Sequence, residues 1–269
     1  MQTATRIPRI GVACSLPSLE EQAARLAKDL GISSPPDREP PDLVLHLTEH
    51  HLELLCPGNP ELTGAVLVEF VNGAAGYRRR HGGHEMLLRA VGHKSGRPLS
   101  VLDATGGLGR DAFILASHGC TVRIVERHPV IAALLADGLR RALQHPETQR
   151  AAARITLTSK DSRQVLAELA LEKQEVDVVY LDPMFPQRSK SAKVKKELQM
   201  LQMLAGAEED NGELLAAALR TAAPRVVVKR PKGAPSLPGP PPSHNHTGTT
   251  TRFDVYIRPG GNRSPGART

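Results

Sequence analysis

The chain has no tryptophan, and only three tyrosines and four phenylalanines among 269 residues. Such scarcity argues against a platform of stacking rings like that of RNA-recognition motifs, and any base stacking must rest on one or two rings. Cysteine is scarce as well. Cys14, Cys56 and Cys120 lie far apart, with no Cys-x-x-Cys pair, so neither a disulfide framework nor a zinc site is expected. A reducing cytoplasm fits best. No apolar run reaches the length needed to span a membrane. The apolar patch Ile10 to Leu16 gives way at once to Pro17 and Glu20-Glu21, too short and too quickly acidic for a secretory signal. No internal repeat is visible.

What the chain does have is apolar bulk and positive charge. Hydrophobic residues make up 40%, enough for a sizeable core, and the formal net charge is +7 with a pI near 9.6. That balance favours a polyanionic partner through counterion release. Two basic runs, Arg78-Arg79-Arg80-His81 and Arg188 to Lys196, concentrate it, although either could be a solvated face.

Residues 1–95 lack regular alternation of strands and helices and predict a small α+β region. Ser18 to Leu30 reads as a helix with Ser18 as N-cap, Glu21 completing a capping box and Gly31 as the stop. Asp42 to His51, His51 to Cys56 and Val66 to Val71 are strand candidates. From Leu99 the pattern changes to strand (99–103), glycine turn (106–109), helix (110–118), strand (121–126), helix (129–143), strand (155–158) and helix (161–171). A strand (176–182), two helices (193–204 and 213–222) and two strands (225–229 and 252–257) follow. This alternation over residues 96–259 predicts a doubly wound, mostly parallel α/β sheet. Residues 232–251 read as an extended loop and 260–269 as a disordered tail.

In such a sheet ligands sit at the carboxyl ends of the strands. Asp103-Ala104-Thr105-Gly106-Gly107-Leu108-Gly109 occupies that place after the first strand. Glu126, twenty residues beyond Gly106 at the end of the second strand, is placed to accept from both hydroxyls of a ribose. A nicotinamide dinucleotide fold would use the same two devices, and the glycines could merely form a tight turn. The spacing is not Gly-x-Gly-x-x-Gly, however, and Asp103 suits S-adenosylmethionine (SAM), whose cationic amino group it could face. Asp111 could serve the same end. Asp161-Ser162, past the third strand, could meet the adenine amino group or simply cap the next helix.

The run Val176 to Tyr180 ends in Leu181-Asp182-Pro183-Met184-Phe185-Pro186. Acid, proline and aromatic at the end of a buried strand is how many methylases of exocyclic nucleobase amines present their target. The acid accepts from the amine, the proline shapes the turn, and Phe185 stacks on the base or else packs beneath the loop. His50-His51, His81, His84 and His93 lack helical i, i+4 placement or an accompanying Cys pair, and solvated or capping roles are expected for them rather than metal binding.

These segments, together with Val125-Glu126-Arg127, Val226 to Pro231, Gly73 to Arg80 and Arg252 to Tyr256, resemble the bacterial 16S rRNA guanine-N2 methyltransferases of the RsmJ family over nearly the whole chain. The resemblance implies a Rossmann-like SAM-dependent methyltransferase domain over residues 96–259. It implies methylation of the exocyclic amine of one guanosine near the 3′ end of 16S rRNA, on naked RNA or the small subunit. It also implies that Arg110, Asp111, Glu126, Arg127, Asp161, Ser162 and Asp182 contact SAM or lie beside it. Asp161-Ser162 stands where that family has a Ser-Ser pair. Two rivals remain at this point: a same-fold enzyme acting on DNA or a small molecule, and a non-catalytic rRNA-binding assembly factor.

Overall fold

The computed structural model describes residues 7–32, 40–72, 85–172, 175–183, 192–205 and 211–258, and their side chains apart from those of 192–195 and 211. Arg78 to His81, His84, Met184 to Ser191 and the 260–269 segment lie outside the described residues.

The N-terminal region builds a three-stranded sheet from β1 (Ile10–Cys14), β2 (Leu43–Leu47) and β3 (Leu52–Leu55), in that order, with β1 parallel to β2 and β3 antiparallel to it. Strand β1 was not expected. Ile10-Gly11-Val12-Ala13-Cys14 has little alternation of polarity, and backbone pairing with Leu43–Leu47 is what makes it a strand. Helix α1 (Glu20–Asp29) begins later than its sequence predicts, after a single 3₁₀ turn over Pro17–Leu19. Proline at the head of that turn draws Ser18 into it, so the expected capping box does not form and Leu19 takes the N-cap position without a side-chain hydrogen bond. Gly31 does stop the helix, at φ +65.

Val66 to Val71 is not a strand either. Apart from one bridge between Val66 and Leu54, its alternation marks which side chains are buried: Val66, Val68 and Phe70 face the core, and Phe70 stacks on Phe113 with centroids 4.1 Å apart.

The second sheet has seven strands: β4 (Ser100–Asp103), β5 (Thr121–Val125), β6 (Ile155–Thr158), β7 (Val178–Leu181), β8 (Arg225–Pro231), β9 (His244–Thr247) and β10 (Thr251–Ile257). Its order is β6-β5-β4-β7-β8-β10-β9. Neighbours from β6 to β8 run parallel, while β10 is antiparallel to both β8 and β9. The helices are α2 (Glu85–Val91), α3 (Arg110–Ser117), α4 (Pro129–Gln144), α5 (Gln149–Ala152), α6 (Ser162–Glu172), α7 (Ala192–Ala205) and α8 (Asn211–Arg220). The expected doubly wound, mostly parallel sheet is present. Strand β9 departs from the extended loop expected there. His244-Asn245-His246-Thr247 has no apolar face, and it is a strand because its backbone completes the outer edge of β10.

Two apolar layers sandwich the sheet. On one face Leu102, Val179, Leu181, Val226 and Val228 pack with Val165, Leu166 and Leu215 of α6 and α8. On the other, Val101, Ile124, Tyr180 and Val227 share a core with α2, α3 and α4 and with Leu43, Leu45 and Leu54 of the small sheet. Polar contacts fix that docking. Asp137 on α4 accepts from the Leu52 N–H at 3.1 Å and from Arg141 at 2.9 Å, while Arg141 also donates to the Val68 carbonyl and to Glu69. Among the described residues no helix is long and apolar enough to cross a membrane.

Candidate active site

Because β4, β5, β7 and β8 are parallel, their carboxyl ends open on one side, and the strand order reverses between β4 and β7. The resulting crevice is where a doubly wound sheet takes its ligands. The register aligns Asp103 with Tyr180 and Leu181 with Val228, so Asp182 and Lys229 follow side by side.

The glycine loop closes tightly over β5. The Gly106 N–H donates to the Val125 carbonyl at 3.0 Å, and a Cβ on Gly106 would come within 2.5 Å of Ile124 Cγ2, so a larger residue here would require Ile124 to shift. Gly109 starts α3 at φ +69. Glu126, buried at the end of β5, accepts from the Gly107 N–H at 2.8 Å and the His128 N–H at 2.7 Å. A Cβ on Gly107 would meet nothing closer than the Thr105 carbonyl oxygen, 3.9 Å away, so that side of the loop is open.

Beside this loop lies an acidic cluster. Asp103, 2% exposed, accepts from the Thr105 N–H at 3.0 Å and hydroxyl at 3.3 Å. Burial, chiefly, and the negative charges of Asp111 and Asp182 push its pKa up to about 7, against the opposing pull of Thr105. The Thr105 hydroxyl also accepts the Asp182 N–H at 2.6 Å, which ties the end of β7 to the loop. Asp111, on the first turn of α3, accepts from the Tyr180 hydroxyl at 2.6 Å and from Lys229 Nζ at 2.7 Å; the same ammonium donates to Asp182 at 2.8 Å. Burial raises the pKa of Asp182 and Asp111 raises it further, while Lys229 draws it down. Burial alone would weaken the Lys229 charge, but the two carboxylates hold its pKa above the ordinary value. Sequence reasoning left Lys229 and Tyr180 without a role. The signal was there: a lysine and a tyrosine interrupt otherwise aliphatic runs at the carboxyl ends of two buried strands.

The other anticipated residues divide. Ser162 donates to the Ala104 carbonyl at 2.6 Å and so joins α6 to the loop. Asp161 accepts the Arg163 N–H at 2.8 Å, which is the capping geometry, and also pairs with the Arg163 guanidinium, whose hydrogen bonds lower the Asp161 pKa despite partial burial. Arg110 and Arg127 reach α7, Arg110 by an ion pair with Glu197 and Arg127 by donating to the Ala205 carbonyl at 3.2 Å. Pro183 is buried. Phe185 lies outside the described residues. No group of three or more His, Cys, Asp or Glu among the described residues could hold a metal ion. His93 bonds to the His118 carbonyl, and the His51 ring pairs with Glu53.

Comparison with known proteins agrees with this fold. The SAM_MT family model, which describes SAM-dependent methyltransferases, matches residues 25–258. The ribosomal RNA small subunit methyltransferase J of Thioalkalivibrio sulfidiphilus is 46% identical over 251 residues, 93% of this chain and 98% of that protein. The chain belongs to the small subunit rRNA methyltransferase J family. The Pseudomonas aeruginosa member is 44% identical over 256 residues, covering 94% of this chain and 97% of its own length. A crystal structure of a SAM-dependent methyltransferase from Neisseria gonorrhoeae superposes with a TM-score of 0.70 at 37% identity, covering 93% of this chain and 96% of that one.

As a member of this family the protein is a SAM-dependent enzyme, and its site suits that cofactor. Asp103, Asp111 and Asp182 lie together at the strand ends, where Lys229 donates to the last two, and their charges add to burial in raising the Asp103 pKa. SAM carries an ammonium and a sulfonium against a single carboxylate, so its net positive charge is what such a cluster attracts.

Proposed function

We propose that this methyltransferase modifies the exocyclic N2 amine of a guanosine near the 3′ end of 16S rRNA, in the cytoplasm, with residues 96–259 as its catalytic domain. The observation that carries the reading is the placement of Asp182. Its carboxylate, 34% exposed, stands at the switch point beside Asp103 and Asp111, held by the Lys229 ammonium and, through its own N–H, by the Thr105 hydroxyl. The Asp-Pro-x-aromatic order of residues 182–185 and the rRNA methyltransferase relatives support the acceptor class.

In this reading Asp103 and Asp111 face the positive end of SAM, and Glu126 takes the ribose hydroxyls. Gly106 keeps the loop low enough for that approach. Arg110 and Arg127 brace α7 beside the cofactor, while Ser162 and Asp161 set the loop that borders the adenine. SAM supplies the methyl group on a sulfonium whose sulfur retains the bonding pair as the new carbon–nitrogen bond forms. Asp182 accepts a hydrogen bond from the guanine N2–H, stabilises positive charge as it develops on nitrogen, and receives the proton directly or through water. A carboxylate of elevated pKa accepts that proton more readily than an ordinary one. Pro183 shapes the turn, and Phe185 stacks on the extruded base, worth about 1–3 kcal/mol.

The test is to incubate the enzyme with methyl-labelled SAM and either small subunits lacking the modification or naked 16S rRNA, then map the label. Methyl on N2 of a single guanosine near the 3′ end supports the reading. Label on adenine, or none on either substrate, refutes it.

A further inference from the structure

Among the described residues of the cluster, Lys229 is the one that touches both sides of the crevice. Its Nζ stands 2.7 Å from Asp111 on α3 and 2.8 Å from Asp182 at the end of β7. Its side chain is only 26% exposed, so solvent screens these charges weakly. Among the described residues, charged groups face Asp182 from three elements: Lys229 from β8, Asp111 from α3 and Asp103 from β4, while Tyr180 of β7 holds Asp111 at 2.6 Å. Of these charges the two carboxylates oppose ionisation of Asp182 and Lys229 favours it.

We propose that Lys229 is the positioning residue that keeps Asp182 ionised and aimed for the acceptor amine, and that it couples this state to Asp111 on the cofactor side. The inference rests on the reading that Asp182 accepts from that amine. Geometry supplies the reason. A carboxylate confined beside two others takes up a proton, and a protonated Asp182 could neither accept the N2 proton nor stabilise charge on nitrogen. An ammonium bonded to both Asp111 and Asp182 cancels the repulsion at its source and fixes where each carboxylate points. Lysine fits the task because its tetrahedral head offers three donors around a compact charge. Asp111 is in turn oriented by Tyr180, so the chain Tyr180–Asp111–Lys229–Asp182 spans from α3 to the strand that carries the acceptor acid.

The experiment compares wild type with Lys229→Met, Lys229→Arg and Asp111→Asn. One readout is the pH profile of kcat on the small subunit at saturating SAM. The other is the carboxyl carbon-13 titration of Asp182 in SAM-free enzyme, assigned by its loss in Asp182→Asn. Removing an adjacent opposite charge should raise the Asp182 midpoint by about one unit or more, and the acid limb of kcat should move up with it. Lys229→Arg should keep the wild-type midpoint even where the bulkier head lowers kcat. Asp111→Asn, which keeps the cation and removes a competing acid, should lower the midpoint, and it answers the question if Lys229→Met does not fold. An Asp182 midpoint unmoved in folded Lys229→Met, or unmoved in Asp111→Asn, overturns the proposal. A midpoint that rises while kcat falls equally at every pH upholds the control of Asp182 by Lys229 and instead removes Asp182 from the proton-linked chemistry.

Discussion

Glu126 reaches across the glycine loop and accepts the Gly107 N–H at 2.8 Å, so the residue expected to bind the ribose also pins the loop beneath it. Glu126→Ala should therefore weaken SAM binding by tenfold or more, about 1.4 kcal/mol. It should also release two backbone donors, those of Gly107 and His128. Calorimetry on the folded variant checks the affinity, and an unchanged SAM dissociation constant would remove the ribose role.

Asp103 makes stability depend on pH in a known direction. Its pKa rises on folding from 3.8 to about 7, so the fold prefers the protonated acid. Its contribution is fully present below about pH 4 and is lost as pH climbs through 7. Glu53, Asp137 and Asp161 have lowered values and act the other way, losing their contribution in acid. The measurement is thus a difference: between pH 5 and pH 8, urea midpoints of wild type should fall relative to those of Asp103→Asn. SAM binding at pH 7 should also release protons, because the incoming cation favours ionised Asp103. Calorimetry in buffers of different ionisation enthalpy would detect that release, and a buffer-independent heat would contradict it.

Asp182→Asn keeps size and one acceptor oxygen but loses the charge that stabilises a cationic nitrogen. Turnover at saturating SAM should fall roughly a hundredfold to a thousandfold. RNA affinity should change little, since the swap takes away no cation that could pair with a phosphate. Wild-type turnover on the small subunit would leave Asp182 as a positioning element alone.

Gly138, in the middle of α4, is where the N-terminal region docks. A Cβ there would lie 2.3 Å from Val68 Cγ1 and 3.1 Å from the Val68 carbonyl oxygen. Alanine ordinarily favours a helix over glycine by about 1 kcal/mol. Here the clash with backbone should reverse the sign, and Gly138→Ala should destabilise by ~1–3 kcal/mol in chemical denaturation. A stabilised variant would show that the Val66 to Phe70 segment yields easily.

Replacing Lys193, Lys195 and Lys196 by alanine should weaken rRNA binding while sparing SAM affinity. For every phosphate that is no longer neutralised, the log–log salt slope should flatten by roughly 0.9 on duplex or 0.7 on single-stranded RNA. An unchanged slope would assign these lysines to a solvated face.

Much of the architecture was readable in residue order. Strands such as Ser100–Asp103 and Val178–Leu181 are buried on both faces, and their apolar runs lie close to the expected positions. Periodicity marks burial, and burial by helices on both sides is what a parallel sheet requires. Where burial and strand pairing part company, the sequence misleads. Val66 to Val71 alternates because a helix covers one side, yet it barely pairs, whereas His244–Thr247 pairs fully with no apolar pattern at all.

The site divides in the same way. Residue order alone placed acids and glycines at strand ends, because a doubly wound sheet gathers its carboxyl ends at one edge whatever the loop lengths between them. Which of those groups would touch was a tertiary matter. Lys229 and Asp111 are 118 residues apart in the chain, and nothing local joins them. They meet because β8 lies beside β7 and the first turn of α3 brings Asp111 to the ends of both strands. One ammonium thereby falls between two carboxylates, in a crevice where water separates their charges only weakly.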